Sequence, residues 1–148
     1  KNYSTFMEKL GYQGMVSLSN FSEENFDECG INIRVKFREN ADFSDLQSHS
    51  QSGGERSVAT VVYMLALQEQ AVVPFRIIDE INQGMDATNE RNVFGLFDFV
   101  AKTNQSQYFL LTPKIISGLV YTPQMSIINL LAFGKLKDSS ASHNDDED

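Results

Sequence analysis

Two adjacent carboxylates stand at the end of a short apolar run, in the segment FRIIDE at residues 75–80. The short apolar run FRIID predicts a buried strand of a parallel sheet. In open α/β sheets, ligands bind at the carboxyl ends of the strands. Asp79 there is suited to holding Mg²⁺ through its water shell, because hard cations prefer carboxylate oxygens. Glu80 is suited to orienting and deprotonating an attacking water. Taken alone, the pair fits a solvated acidic strand end equally well.

A serine, two glycines and a glutamate open the helical pattern that leads into this strand, in SGGE at residues 52–55. Ser52 can cap the helix and offer a hydroxyl, while Gly53 and Gly54 leave their backbone N–H groups accessible. The helix dipole behind them favours an anion at this turn. Two glycines alone more often mark an ordinary turn, but followed by FRIIDE in this order they predict a phosphate-binding site.

Apolar spacing places these motifs in an α/β fold, with parallel strands, flanking helices and additional antiparallel strands. The pattern predicts a helix over 3–10, strands over 14–18 and 31–37, a helix from Glu55 that Pro74 stops, a helix over 87–103, a second buried strand over 107–112, a short helix after a Pro-Lys turn, and a final strand over 125–133. The predicted buried positions are Ile31, Ile33, Val35 and Phe37 in the second strand, Val58, Val61, Val62 and Leu65 in the second helix, and Val93, Leu96, Phe97 and Val100 in the third.

Composition limits the class of protein. The chain has 148 residues, 41% of them hydrophobic, which suffices for the core of one domain. Its net charge is −8, but five of the 20 acids lie from Asp138 onward, which leaves 15 acids against 12 bases in the body. This balance argues against a strong nucleic-acid clamp, and the polar tail is expected to be disordered. A single cysteine, Cys29, excludes an intrachain disulfide and favours a reduced intracellular setting. No apolar stretch is long enough to span a membrane.

The order of these motifs resembles the ATP-binding-cassette superfamily, whose signature motif precedes a Walker B strand that ends in Asp-Glu. The resemblance is closest to the structural maintenance of chromosomes (SMC) ATPases, and among them to the fifth-type subunit of the complex linked to DNA repair. It covers roughly residues 3–133. The segments that carry it are HSQSGGERSV, FRIIDEINQGMD, NER and SQYFLLTPK.

The resemblance implies ATP and Mg²⁺ as cofactors and a role for each matched residue. Those roles are the catalytic base at Glu80, the metal-binding carboxylate at Asp79, the signature at Ser52, Gly53, Gly54 and Glu55, the D-loop aspartate at Asp86, and the switch region at Thr112.

Three positions depart from the usual cassette pattern. Gln51 replaces the leucine of the signature, and Arg76 interrupts the apolar run before the acids, which predicts that its face of the strand is not buried. Pro113 stands where many cassette ATPases have a switch histidine, and proline cannot hydrogen-bond a γ-phosphate. Thr112 beside it can still contribute a hydroxyl.

Half of a nucleotide site is absent from the sequence, which contains no Gly-x4-Gly-Lys-[Ser/Thr] motif. The resemblance implies that the chain is the C-terminal half of an SMC head. Residues 1–11 would be the end of a returning coiled-coil helix, 12–137 the C-terminal lobe, and 138–148 a tail. ATP hydrolysis is expected only after joining to the N-terminal half and a partner head, so the fragment alone should be inactive.

The implied partners are that N-terminal half, a sixth-type SMC head, a kleisin-type bridging subunit, and DNA through the assembled complex. The implied location is the nucleus, on chromosomes, with no membrane association. Three alternatives stay open: a fragment of a transporter's nucleotide-binding domain, another coiled-coil repair ATPase, and an interaction half-module that never hydrolyses ATP.

Overall fold

The computed structural model describes residues 1–20, 26–46, 49, 51–104 and 106–130. In chain order its helices and strands are α1 (Asn2–Lys9), β1 (Gln13–Ser19), a 3₁₀ turn (Phe26–Glu28), β2 (Gly30–Lys36), β3 (Ser44–Asp45), α2 (Gly53–Gln68), β4 (Phe75–Ile78), α3 (Ala87–Thr103) and β5 (Gln107–Leu110). None of the helices in these ranges has the length and apolarity needed to cross a bilayer. The acidic tail lies outside the described residues.

The strands form two sheets, one antiparallel and one parallel, so the prediction of a mixed α/β fold is confirmed. In the first sheet, β2 lies between β1 and β3, and both pairings are antiparallel. In the second, β4 pairs with β5 in parallel, with Phe75 opposite Gln107 and Ile78 opposite Leu110. Helix α3 connects β4 to β5 along the chain, as a parallel pair requires.

The two long helices supply most of the core. The predicted buried positions of α3 are all confirmed, and in α2 only Val61 is partly exposed. Side chains of α1, β2 and β4 and of the segments after β4 and β5 complete the cluster. Its most buried members are Met7, Val35, Val58, Val62, Leu65, Val93, Phe97 and Val100. The tightest approach is between α1 and β1, where a Cβ added to Gly14 would lie 2.6 Å from Cε1 of Tyr3 and 2.8 Å from Cγ of Met7.

The alternation predicted for residues 31–37 holds at only one end of the antiparallel sheet. Val35 is 1% exposed, whereas Ile31 is 59% exposed. Val35 pairs with Gly14, against which α1 packs, while Ile31 pairs with Leu18 at the other end of the ladder. The short helix α1 covers only the near end, so the far end keeps its apolar side chains in solvent.

The prediction that β4 and β5 are buried strands holds on only one face of their sheet. Ile78 is buried, but Phe75 and Ile77 are 55% and 63% exposed, and Phe109 of β5 is 46% exposed. Side chains alternate along a strand, and α2 and α3 both lie against the same face: Arg76 contacts the end of α2, and Tyr108 contacts Phe97 of α3. The other face carries an apolar surface, on which the rings of Phe75 and Phe109 lie edge to face at 6.3 Å.

The predicted exposure of the Arg76 face is wrong, because Arg76 lies on the covered face and is 7% exposed. Its Nη2 donates to the carbonyl oxygens of Gln68 and Ala71, at 2.7 and 2.6 Å. Its guanidinium also lies 5.4 Å from the ring centre of Tyr108. The arginine therefore caps the carboxyl end of α2. That helix ends at Gln68 rather than at Pro74, so the predicted stop is six residues too late.

Two predicted elements after β5 are absent from the described residues. Residues 111–130 contain neither the short helix nor a strand in 125–130; 131–133 lie outside the described part. A strand needs a hydrogen-bonded neighbour, and the described chain offers residues 125–130 none. Ile127, Ile128 and Leu130 are correspondingly 58%, 81% and 89% exposed.

Candidate functional site

The Ser-Gly-Gly turn begins α2 with a complete capping box. The Oγ of Ser52 accepts from the backbone N–H of Glu55 at 3.2 Å, and the N–H of Ser52 donates to Oε2 of Glu55 at 2.8 Å. The helix begins at Gly53, two residues before the predicted start. The predicted capping role of Ser52 is confirmed.

The backbone of this turn is accessible. Ser52 and Gly53 are exposed, and a Cβ added to Gly53 would meet nothing within 4 Å. Behind it, α2 runs for 16 residues, so the partial positive charge of its amino end is directed at the turn. The turn therefore has the open backbone that an anion needs for close approach.

The carboxylate of Glu55 faces back into the chain. Besides capping Ser52, it forms an ion pair with Arg38, whose Nη2 lies 3.3 Å from Oε1. Gln51, before the turn, is buried, and its Nε2 donates to Oγ of Ser44 at 2.6 Å and to the carbonyl of Asp45 at 3.1 Å. A glutamine at this position thus ties the turn to β3, a contact that leucine could not make.

The turn after β4 touches the turn before α2. A Cβ on Gly54 would lie 3.5 Å from the carbonyl oxygen of Gly84 and 3.7 Å from Nδ2 of Asn89. Gly84 itself has φ +74°, a left-handed conformation that favours glycine. The tertiary structure thus brings SGGE and INQGMD together, although 27 positions separate Glu55 from Asn82 in the sequence.

Asp86 is the amino-terminal cap of α3. Its Oδ1 accepts from the backbone N–H groups of Thr88 and Asn89, both at 2.9 Å, and its Oδ2 accepts from Nδ2 of Asn89 at 2.9 Å. The hydrogen bond from the Asn89 backbone, ahead of the other contacts, lowers the pKa of Asp86 below its ordinary value. Asp86 is exposed and ionised, and its carboxylate is engaged within its own turn.

Tyr12 joins α1 to this turn, a contact absent from the sequence-based predictions. Its hydroxyl donates to Oδ1 of Asn89 at 3.1 Å. Burial, followed by the charges of Asp86 and Glu55, raises the pKa of Tyr12. Asn89 therefore bonds Tyr12 and Asp86 and lies beside Gly54, so it links the region after α1 to both motifs.

The carboxylates Asp79 and Glu80 follow directly after β4 and are both exposed, so their charges are solvated rather than buried. Glu80 has φ +52°, an uncommon conformation for a residue with a side chain. Its N–H donates to the carbonyl of Leu111 at 3.1 Å, which extends the hydrogen bonding between the two parallel strands by one step. Strained residues of this kind cluster at functional sites.

Thr112 lies next to the same ladder, and its hydroxyl is engaged within the chain. Its Oγ1 lies 3.1 Å from Oδ1 of Asn82 and 3.1 Å from the carbonyl of Lys114. Asn82, which is 2% exposed, in turn donates through Nδ2 to Oε1 of Glu90 at 3.1 Å. Pro113 lies in the same loop. The structure thus gathers Glu80, Thr112 and Asn82 at the carboxyl ends of β4 and β5.

Glu90 is the functional candidate that sequence reasoning missed. It is a buried acid, 3% exposed, that forms an ion pair with Lys114. The signal was present, because Glu90 precedes Val93, Phe97 and Val100 at intervals of three, four and three residues and so occupies the apolar stripe of α3. A charge in that register requires a partner.

The residues described above form two clusters. In one, the open Ser52–Gly54 turn adjoins Asp86; in the other, Glu80 adjoins Thr112 and Asn82. The adjacent residues Asn89 and Glu90 of α3 belong one to each cluster. Among the described residues, no three His, Cys, Asp or Glu side chains are placed to hold a metal ion by themselves. A single carboxylate such as Asp79 suits a cation that takes its other ligands from phosphates and water.

No family model matches the chain, but curated relatives do, three of which follow. It is 45% identical over 132 residues to structural maintenance of chromosomes protein 5 of Arabidopsis thaliana, covering 88% of this chain and 12% of that protein. It is 47% identical over 135 residues to the Caenorhabditis elegans protein of the same name, and that match covers 86% of this chain and 12% of that protein. It is 34% identical over 113 residues to human structural maintenance of chromosomes protein 6, and that match covers 76% of this chain and 10% of that protein. The chain thus spans about an eighth of the two most similar of these.

Two solved structures share the fold. One, from work on ATP-driven dimerization and DNA-stimulated activation of SMC ATPases, has a TM-score of 0.64 and 25% identity, covering 78% of this chain and 66% of that one. The other is an SMC head bound to the C-winged helix domain of ScpA, with a TM-score of 0.62 and 26% identity. That match covers 78% of this chain and 34% of that one.

Proposed function

We propose that the chain, an SMC-family sequence, is the C-terminal half of an SMC head. Over most of its length it is homologous to a segment of structural maintenance of chromosomes protein 5, and it is folded like part of an SMC head. In this proposal Glu80 completes an ATP site on the head's own N-terminal half. The turn at Ser52–Gly54 binds ATP held by a partner head, so that ATP binding joins the two heads.

The observation that carries this proposal is the open backbone at the start of α2. Ser52 and Glu55 hydrogen-bond to each other through the capping box, and nothing covers the Gly53 side of the turn. A turn built for packing alone would bring neighbouring atoms against that glycine. The helix dipole and the bare backbone suit a phosphate supplied by another protein.

The uncovered apolar face of the parallel sheet supports the assignment to half of a head. Phe75, Ile77 and Phe109 lie on that face, each more than two-fifths exposed. The sequence lacks a Gly-x4-Gly-Lys-[Ser/Thr] motif. A single occupant, the N-terminal half of the same head, would supply both the phosphate-binding lysine and the missing cover for this sheet.

Hydrolysis in the assembled head would use the residues at the end of β4. Glu80 accepts a proton from water, whose oxygen bonds to the γ-phosphorus as the bond from that phosphorus to the β–γ bridging oxygen breaks, giving ADP and inorganic phosphate. Asp79 would hold the Mg²⁺ ion, which neutralises phosphate charge when bound. With the γ-phosphate gone, the joined heads separate.

The partners we propose follow from the relatives. The similarity to protein 6 fits a head of that type as the partner, and the ScpA complex of a similar head fits a kleisin-type bridging subunit. The family name fits a role on chromosomes, and we place this protein in the nucleus, acting on DNA through the assembled complex in repair and recombination. Alone, the chain should not hydrolyse ATP.

The test is a Glu80→Gln variant, assembled with its N-terminal half and the partner head. Glutamine keeps the size of the side chain but cannot accept the proton, so phosphate release should fall by about a hundredfold or more. ATP-dependent head joining, measured by cross-linking, should persist. Wild-type turnover in this variant would remove Glu80 from the proposed role.

A second candidate function is an interaction half-module that binds its partners without turning over ATP. The hydrogen bonds of Thr112 favour it, since that hydroxyl already contacts Asn82 and Lys114 and its neighbour Pro113 has no N–H to offer. Phosphate release by the wild-type assembly, compared with Glu80→Gln, separates the two functions. The transporter alternative has no support among the relatives described above, which are chromosome proteins by name.

A further inference from the structure

An ion pair with a buried carboxylate links the first turn of α3 to the loop after β5. Glu90 is 3% exposed, and its Oε1 contacts Nζ of Lys114 and accepts a hydrogen bond from Nδ2 of Asn82 at 3.1 Å. The lysine side chain is 55% exposed, so the ion pair is buried on the glutamate side and open to solvent on the lysine side.

The pair closes a ring of contacts between three segments. Asn82 belongs to the turn after β4, Glu90 to α3, and Lys114 to the loop after β5. Thr112 completes the ring, because its Oγ1 contacts Oδ1 of Asn82 at 3.1 Å and accepts from the N–H of Lys114 at 3.4 Å. Each segment is therefore held by a side chain from another.

The ring also borders the backbone of the proposed catalytic base. The N–H of Glu80 donates to the carbonyl of Leu111, and the N–H of Leu111 donates to the carbonyl of Ile78, at 3.1 and 2.9 Å. Leu111, next to Thr112 of the ring, thus holds the carboxyl end of β4 directly. Glu80 has a left-handed backbone, a conformation that persists only where its surroundings enforce it.

Stability alone does not account for a buried carboxylate at this place. Replacing a buried ion pair by apolar side chains of similar size is often neutral or stabilising, because buried charge must be desolvated. Here that cost falls mainly on Glu90, since the Lys114 side chain is 55% exposed. The surrounding positions of the α3 stripe are apolar, including Val93 and Phe97. What the charges provide here, and apolar residues would not, is a directional link between the two strand ends.

We propose that Glu90 and Lys114 are positioning residues for hydrolysis, which hold the loop after β5 against the turn after β4 so that Glu80 faces the attacking water. This inference rests on the proposed function. Neither residue takes a proton or touches the reacting atoms. Their loss should lower kcat and leave ATP affinity and head joining unchanged, because the turn that binds the partner's ATP belongs to the other cluster.

The experiment uses the full-length protein assembled with its partner head. Lys114→Met removes the ammonium, and the double variant Glu90→Gln/Lys114→Met removes both charges, so no unpaired charge stays buried. Both should lower kcat by about tenfold to a hundredfold, the usual effect of a displaced catalytic group, with KM and ATP-driven cross-linking of the heads unchanged. Lys114→Arg, which keeps the charge, should restore most of kcat.

The matched control is Lys102→Met, which breaks an exposed ion pair with Asp98 on the same helix and should leave kcat unchanged. The inference is overturned if the double variant turns over ATP at the wild-type rate, or if KM and head joining change together with kcat, as a general loss of structure would produce. Glu80→Gln, run in parallel, separates this outcome from failure of the proposed function: rapid turnover there refutes the function itself.

Discussion

A single methyl group at Gly53 tests whether the turn before α2 binds a nucleotide. An added Cβ at Gly53 meets nothing within 4 Å in the described chain, and its φ lies outside the left-handed region. Gly53→Ala is therefore compatible with the folded chain. The same methyl group would stand on the backbone face that we assign to the partner head's ATP.

Gly53→Ala should stabilise the folded chain and weaken the binding of the partner head's ATP. Alanine reduces the backbone entropy lost on folding, so the free energy of unfolding should rise, by up to about 1 kcal/mol. A phosphate kept away from the backbone N–H loses a charged hydrogen bond worth about 1.5–3 kcal/mol. Because about 1.4 kcal/mol corresponds to a tenfold change in affinity, the ATP concentration for half-maximal head joining should rise about tenfold to 150-fold.

The assay is ATP-dependent cross-linking of the joined heads, in a Glu80→Gln background that prevents hydrolysis. Gly95→Ala is the matched control, since Gly95 lies inside α3 and an added Cβ there also meets nothing within 4 Å. That variant should gain stability to a similar degree and join heads normally. If Gly53→Ala joins heads at the wild-type ATP concentration, the turn does not bind the nucleotide and the proposal is refuted.

Two further predictions concern the scaffold of the assembled head. Arg76→Met should lower the free energy of unfolding by about 3 kcal/mol, measured in urea, because the carbonyls of Gln68, at the end of α2, and of Ala71, just after it, lose their charged donor. An unchanged value would contradict the capping role. The pKa of Asp86 is lowered in the folded chain, so its contribution to stability is present above its ordinary value of 3.8 and is lost as the pH falls through the lower folded value. Asp86→Asn, which still caps a helix, should therefore lose less stability between about pH 5 and pH 2 than the wild type, and an identical acid dependence would refute this.

Local rules located the helices and the two motifs well. Serine before a helical pattern is a capping signal, and it identified Ser52 correctly. The 3.6-residue period of apolar side chains placed α3 at its observed bounds, Ala87–Thr103. Both signals concern residues within a few positions of one another, so no distant part of the chain is needed to interpret them.

The strands were harder to predict, because their burial depends on what covers them. The run FRIID is compatible with a strand buried on both faces. However, α2 and α3 cover only one face of the sheet, and Phe75 and Ile77 are exposed on the other face. Residues 125–130 have a strand-like sequence but no neighbouring strand among the described residues. A covering layer or a pairing strand from elsewhere cannot be deduced from the segment itself.

From its own local chemistry, the sequence determined that Ser52 caps α2, where α3 begins, which turn exposes a bare backbone, and which acids end β4. Tertiary structure alone decided which of these groups meet: Gly54 against the Gly84 turn, Arg76 turned inward to cap α2, and Glu90 paired with Lys114. Contacts of this kind join residues far apart in the chain, so they depend on how helices pack on strands. Residue type and spacing do not contain that information.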